Sequence, residues 1–230
     1  MKNDRINQET YSKNIIKHLL FSTALFLPLC FFIWFYASSL LVIPVKYLLQ
    51  QILILWQPDL FNAVSQNQYL LTIETLIFPN TSFFGQGDKL AVLDVVVNPM
   101  LYGYGLAVVA GLVVSVPDLK ASKRILQIVI GYVLIIFVQT FGSFWETIKH
   151  LVFEAGPDAQ QAILDTGLSV NLIALMYQLS YLIVPAVVPV SYWIIMNSDF
   201  IGEITGLKIN SNRNFDRDEV SDKQSKENKL

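Results

Sequence analysis

Four long stretches of the chain contain no charged side chain, and this constrains the fold more than any other feature. They cover residues 19–45, 95–117, 125–145 and 166–198. Each reaches or exceeds the roughly 20 residues that a helix needs to cross about 30 Å of hydrocarbon. We therefore predict an all-α integral membrane protein with four transmembrane helices, at about residues 19–45, 98–117, 125–145 and 169–197.

Composition agrees with this class. The chain has 53% apolar and 15% charged residues, whereas a water-soluble domain carries about 25% charged residues. We predict one membrane domain, residues 18–200, between a cytoplasmic tail at 1–17 and a polar tail at 201–230 that should be disordered. The first run is longer than the apolar core of a signal peptide, so we expect it to be retained. The single Cys30 excludes an intramolecular disulfide.

The basic residues predict the orientation. All but three of the 16 Lys and Arg lie in the two tails or in the loop at 118–124. The positive-inside rule then predicts a multi-pass protein of the bacterial inner membrane with both termini in the cytoplasm. The extracytoplasmic segments would be 46–97 and 146–168. They contain most of the acidic residues outside the tails: Asp59, Glu74, Asp88, Asp94, Glu146, Glu154, Asp158 and Asp165.

The first outer segment predicts a helix followed by a small β-hairpin. Apolar residues at helical spacing over 47–56, ended by Pro58, predict a helix that continues the span or lies in the membrane interface. Alternation at 69–74 and β-branched residues at 90–97 predict two strands joined by a turn-rich loop that contains Phe83 and Phe84. In the second outer segment we predict an interfacial helix, which ends at Gly156 and Pro157.

Glu146, His150 and Glu154 recur at intervals of four residues on this second helix, so they share one face. Two carboxylates beside a histidine could bind a divalent metal. No second His or Cys completes a ligand set, which favours a solvated helix face instead. We predict no metal and no other cofactor.

Few residues could carry catalysis or transport. The four arginines lie on the predicted cytoplasmic side, and His18 and His150 fall on opposite sides of the membrane. No phosphate-binding loop, nucleotide fingerprint or basic aromatic stripe is present, so no nucleic acid partner is predicted. The predicted spans lack the ionisable groups of ion-coupled carriers. Residues Gly103, Tyr104 and Gly105 form the tripeptide Gly-Tyr-Gly, which occurs in the selectivity filters of potassium channels. No pore helix is predicted before it, so we interpret these glycines as sites of close helix packing.

Polar and aromatic residues near the ends of the predicted spans are the candidates for partner binding or packing. Their side chains could join helices within the chain or contact a second membrane protein. Two prolines on the fourth span should bend it and free backbone carbonyls. The candidates are Asn98, Pro99, Tyr102, Gly103, Tyr104, Gly105, Gln139, Trp145, Tyr177, Gln178, Tyr181, Pro185 and Pro189.

Four segments resemble the exosortase H-associated membrane proteins: NPMLYGYGL at 98–106, QTFGSFW at 139–145, MYQLSYLIVPAVVP at 176–189 and LPLCFFIW at 27–34. The resemblance covers about residues 18–200. It implies a membrane protein encoded beside an exosortase, a transpeptidase-like membrane enzyme whose substrates carry a C-terminal sorting signal. The exosortase itself resembles a thiol enzyme with outward-facing Cys, Arg and His, and this chain has no outward arginine.

We therefore predict a non-enzymatic accessory membrane protein that binds an exosortase-like sorting enzyme or its substrates through the outer hairpin and the polar faces of spans three and four. The alternative is a membrane enzyme at the outer interface. It would use Glu146, His150 and Glu154, or Asp94 and Asn98, for acid-base or metal chemistry. A small transporter is a third hypothesis.

Overall fold

A computed structural model describes residues 2–78, 93–117 and 119–205, and these are mostly helical. The helices are α1 (Lys2–Tyr36), α2 (Ser38–Trp56), α3 (Met100–Gly103), α4 (Gly105–Ser115), α5 (Ala121–Phe153), α6 (Pro157–Leu164), α7 (Val170–Gln178), α8 (Val184–Met196) and α9 (Ser198–Thr205). The strands are β1 (Phe61–Asn67), β2 (Leu70–Thr75) and β3 (Asp94–Val97). The predicted class, a helical membrane protein with a small β insertion, is confirmed.

The chain divides into two compact units. One contains residues 1–18 and 194–230, where the described parts are helical: the start of α1, the end of α8, and α9. The other, residues 19–193, contains the sheet and the remaining helices. α9 runs to Thr205, so the first residues of the tail predicted to be disordered are helical. The rest of that tail lies outside the described residues.

The larger unit has a core in which α2, the sheet, the end of α5, and α6 meet. α2 contributes a stripe of fully buried residues at helical spacing: Val42, Val45, Leu49 and Leu53. The sheet, α5 and α6 contribute Leu71, Ile73, Val95, Val97, Ile148, Leu151 and Ile163. The amphipathic pattern of α2 therefore results from packing on one side against the sheet and α5.

The β insertion has three antiparallel strands in the order β1-β2-β3, one more than predicted. β1 was missed because its residues, FNAVSQN, are largely polar and only Phe61 and Val64 are buried. A tight turn joins β1 to β2, and Gln68 adopts a φ of 58° there. In the second pair, Leu71 lies opposite Val97. The predicted loop with Phe83 and Phe84 lies outside the described residues.

Among the residues that the structure describes, four helices are long and apolar enough to cross a membrane: Ile16–Tyr36, Ser38–Trp56, Ala121–Phe153 and Val170–Met196. They differ from the four predicted spans in two places. The first predicted span, 19–45, is divided at Ala37, because α1 ends at Tyr36 and α2 begins at Ser38. Residues 98–117 form α3 and α4, and this apolar stretch, Met100–Ser115, is shorter than the other four. α2 meets the length criterion because its helix runs on to Trp56, beyond the end predicted for the first span.

Reporter fusions should decide between α2 and α4 as the second crossing. If the charge pattern governs insertion, alkaline phosphatase fused after Gln68 should be active, while fusions after Lys120 and at the C-terminus should be inactive. Green fluorescent protein at the same sites should show the opposite pattern, which controls for expression. An inactive phosphatase at Gln68 would mean that α2 crosses the membrane and that the predicted extracytoplasmic placement of residues 46–97 is wrong, with both termini still in the cytoplasm.

The fourth predicted span contains a π-helical turn, Leu179–Ile183, between α7 and α8. Pro185 lies two residues after this turn, and proline has no N–H to continue the α-helical hydrogen bonds. A π turn is one way in which a helix accommodates such a break. Pro185 and Pro189 are both buried, so their rings pack within the protein.

Candidate functional site

Polar and aromatic side chains meet where α3, α5 and the π-helical turn come together. Tyr102 of α3 is fully buried, and its hydroxyl donates a 3.1 Å hydrogen bond to Oε2 of Glu146 on α5. Glu146 is itself only 8% exposed. The backbone N–H of Asn98 also faces this carboxylate. A residue expected on a solvated face is therefore part of a buried hydrogen-bonded pair.

The start of α3 is held by side chains of the same region. The side-chain oxygen of Asn98 accepts a 3.1 Å hydrogen bond from the N–H of Met100, as asparagine commonly does at a helix start. The side-chain nitrogen of Gln139 donates to the carbonyl of Pro99 over 3.2 Å. Gln139 is 2% exposed. These two bonds position Tyr102 against α5.

Two glycines let the helices approach closely at this point. A Cβ atom placed on Gly103 would lie 2.7 Å from Cδ of Gln139, and one placed on Gly142 would lie 2.7 Å from Cδ2 of Tyr102. Real Cβ atoms do not approach other atoms so closely. Small residues at such contacts are a common way for membrane helices to pack.

The cluster reaches the surface at the end of α5. His150 Nε2 lies 4.0 Å from Oε1 of Glu146, and its Nδ1 pairs with Glu154. Lys149 also pairs with Glu154, and its ammonium lies 5.4 Å from the centre of the Tyr177 ring. The hydrogen bond from Lys149, together with the charges of His150 and Lys149, holds the pKa of Glu154 below its ordinary value.

The sign of this pKa shift defines its effect on stability. Because the pKa of Glu154 is lower in the folded protein, the stabilisation is present above the ordinary pKa of 4.5. It is lost as the pH falls through the folded-state value. About half of the Glu154 side chain is exposed, so solvent screening keeps the contribution small.

Tyrosines complete the cluster on the side of α7. The Tyr102 and Tyr181 rings meet edge to face with centroids 6.3 Å apart, and Tyr177 and Tyr181 are stacked at 5.9 Å. The π-helical turn carries Tyr181. One contiguous set of contacts thus runs from buried Tyr102 to exposed Tyr181.

The structure brings together most of the candidates from the predicted outer ends of the spans. The residues that meet in the cluster are Asn98, Pro99, Tyr102, Gly103, Gln139, Tyr177 and Tyr181. They meet Glu146, His150 and Glu154, which belonged to the enzyme alternative. No group of three His, Cys, Asp or Glu side chains is arranged to hold a metal ion within the described ranges.

The remaining candidates lie elsewhere. Trp145 packs against Phe141 and Phe144. Gly105 lies beside Ile135 and Pro189, deeper along the same helices. Tyr104 is half-buried, Pro185 is buried and Gln178 is exposed. Asp94 sits opposite Glu74 in the sheet, whereas the side chain of Asn98 accepts from Met100 at the start of α3.

Lys149 is the residue of this cluster that sequence reasoning missed. It lies in the cluster because α7 brings Tyr177 beside the end of α5, and no local pattern predicts that contact.

For Glu146, the sequence does contain a pattern that indicates burial. Gln139, Gly142 and Glu146 follow one another at intervals of three and four residues, which places them on one face of α5 with a small residue in the middle.

The architecture defines a multi-pass α-helical membrane protein with a small β insertion. The chain belongs to the family of exosortase H-associated membrane proteins, whose family model matches residues 13–200. The match covers every described element of the larger unit. No curated protein and no solved structure matches the chain.

Proposed function

We propose that this chain is a non-enzymatic accessory protein of an exosortase-type protein-sorting system and that it binds the sorting enzyme or its substrates. The observation that carries the proposal is family membership across residues 13–200, in a family named for association with exosortase H. We place the protein in the bacterial inner membrane with both termini in the cytoplasm, because the basic residues concentrate in the tails and in one loop.

The bonding within the cluster supports a structural role for its ionisable groups. Here Glu146 accepts from Tyr102, and His150 and Lys149 both pair with Glu154. The Tyr102–Glu146 hydrogen bond joins α3 to α5, and the Lys149 ammonium over the Tyr177 ring joins α5 to α7.

Exposed apolar side chains near the sheet give a partner a surface to contact. Leu76, Phe78 and Val96 are each at least 40% exposed. Leu76 and Phe78 follow β2, and Val96 lies within β3. Apolar side chains of this kind at a sheet edge commonly mark protein contacts. This is the region from which the predicted outer hairpin would engage the enzyme or a substrate.

Affinity purification from the native membrane in mild detergent, followed by mass spectrometry, tests the proposal. We expect the tagged chain to recover an exosortase-like enzyme or a precursor with a C-terminal sorting signal. An unrelated multi-pass protein with the same tag serves as the control. Recovery of the chain without either partner, at matched yield, would contradict the accessory function.

The membrane-enzyme alternative is favoured by the closeness of Glu146, His150 and Glu154. The variant His150→Ala distinguishes it from the accessory role. An accessory role predicts that this variant still supports sorting, since Glu154 retains its pair with Lys149. The enzyme alternative predicts loss of sorting at an unchanged level of protein in the membrane. His18→Ala, at an exposed position near the N-terminus, is the matched control.

A further inference from the structure

The start of α5 lies at one boundary of the membrane hydrocarbon. α5 is a continuous helix, and charged residues bracket its uncharged part, with Arg124 before it and Glu146 after it. At the rise of an α-helix, residues 125–145 extend over about 30 Å, which matches the thickness of the hydrocarbon. Arg124 and the residues just before it therefore lie at the level of the lipid headgroups.

Lys123 stands at the end of a lipid-facing stripe. Lys123, Leu126 and Ile130 are spaced i, i+3 and i+7, so they share one face of α5. All three are exposed. The exposed side chains from here to the middle of the helix are all apolar: Ile125, Leu126, Val129, Ile130, Val133 and Phe137. A phospholipid whose acyl chains lie along this face places its headgroup beside Lys123.

Arg124 holds the loop before α5 in place. Its guanidinium donates a 2.9 Å hydrogen bond to the carbonyl of Val116, the residue that follows α4. This bond joins the end of α4 to the start of α5. Lys120 and Lys123 are both exposed on the loop and the first turn, and neither forms an ion pair with another residue that the structure describes.

The positive charge at this point is only partly balanced by the loop itself. Residues 118–124 contain three basic side chains and one acidic side chain, Asp118, which lies outside the described residues. Like charges about one helical turn apart repel each other. An anion bound between the ammonium groups of Lys120 and Lys123 would remove this repulsion, and the phosphate of a phospholipid lies at the required depth.

We propose that Lys120 and Lys123 bind the headgroup phosphate of an anionic phospholipid whose acyl chains lie along the Leu126 and Ile130 side of α5. A lysine ammonium is a common ligand of phosphate, and each basic residue at the membrane surface strengthens the attraction to anionic lipid. The positive-inside rule concerns orientation during insertion, whereas this site selects one class of lipid in the folded protein. The site is independent of the proposed sorting function.

Native mass spectrometry of the full chain tests the site. The purified protein is equilibrated in mild detergent with equal amounts of anionic dioleoyl phosphatidylglycerol and zwitterionic dioleoyl phosphatidylcholine, and the ratio of the two bound lipids is measured. Each lysine should favour the anionic lipid about fivefold. We expect an excess of bound phosphatidylglycerol, and the double variant Lys120→Gln/Lys123→Gln should lower the ratio about five- to 25-fold. Lys120→Arg/Lys123→Arg keeps both charges and should retain most of the preference.

The matched control is Lys223→Gln/Lys226→Gln, which removes the same charge at the same spacing from the C-terminal tail. Its lipid ratio should be unchanged. An equal fall in this control would show a general effect of net charge. An unmodified chain without lipid preference, or an unchanged ratio in Lys120→Gln/Lys123→Gln, would show that no such site exists. Loss of the preference in the arginine variant would assign the effect to packing instead of charge. Each of these results overturns the proposal.

Discussion

Replacing Gly142 with leucine should remove most of the folded protein from the membrane. A Cβ atom at this position would overlap the ring of Tyr102, which is fully buried and hydrogen-bonded to Glu146. The ring cannot move without breaking that bond, and overpacking a close-packed interior costs about 1–3 kcal/mol or more. We expect the lost free energy of folding to be comparable to the whole stability of a marginally stable membrane protein.

The amount of monodisperse protein extracted in mild detergent measures this effect. Gly103→Leu should be the next most severe change, because the atoms it meets belong to Gln139, whose side chain is longer and more adaptable. Tyr102→Phe should lower the yield least. Ala186→Leu adds the same side chain at an exposed position on α8 and should be harmless. Equal yields for the Gly142, Gly103 and Ala186 variants would contradict close packing at these helices.

Breaking the Tyr102–Glu146 pair from one side should destabilise the protein, and removing both polar groups should restore much of the loss. Tyr102→Phe leaves the buried Glu146 without its hydroxyl donor, and Glu146→Leu leaves the buried hydroxyl without its acceptor. An unsatisfied buried polar group costs about 1–3 kcal/mol, whereas replacing both partners by apolar groups can be nearly neutral. The double variant should therefore be more stable than the sum of the single changes predicts.

Thermal unfolding in detergent provides the measurement. A change of 1 kcal/mol shifts Tm by about 2–4 °C in a chain of this size, so each single variant should lose several degrees. Tyr177→Phe, which removes a hydroxyl outside the pair, is the control and should change Tm little. Additive losses in the double variant would show that Tyr102 and Glu146 do not act as a pair.

Several features of the fold could be predicted from the sequence because they depend on neighbours along the chain. The charge-free runs predicted the helical membrane class, Pro58 marked the end of α2, and Gly156 with Pro157 marked the break between α5 and α6. Gly156 adopts a φ of 103°, a conformation that glycine accepts at little cost. β1 was missed because its residues are largely polar and do not alternate, so the strand is recognisable only from its pairing with β2.

The sequence alone determined that this chain is a helical membrane protein, because hydrophobic length and the absence of charge are properties of continuous segments. It also carried the family resemblance. Only the tertiary structure decided that Glu146, expected to be solvated, is buried against Tyr102, a residue 44 positions away. It likewise placed Lys149 on Tyr177 and left Gln178 facing outward. The reason is physical, because burial and pairing depend on which helices pack together. Residues that are distant in the chain share no local pattern that specifies this packing.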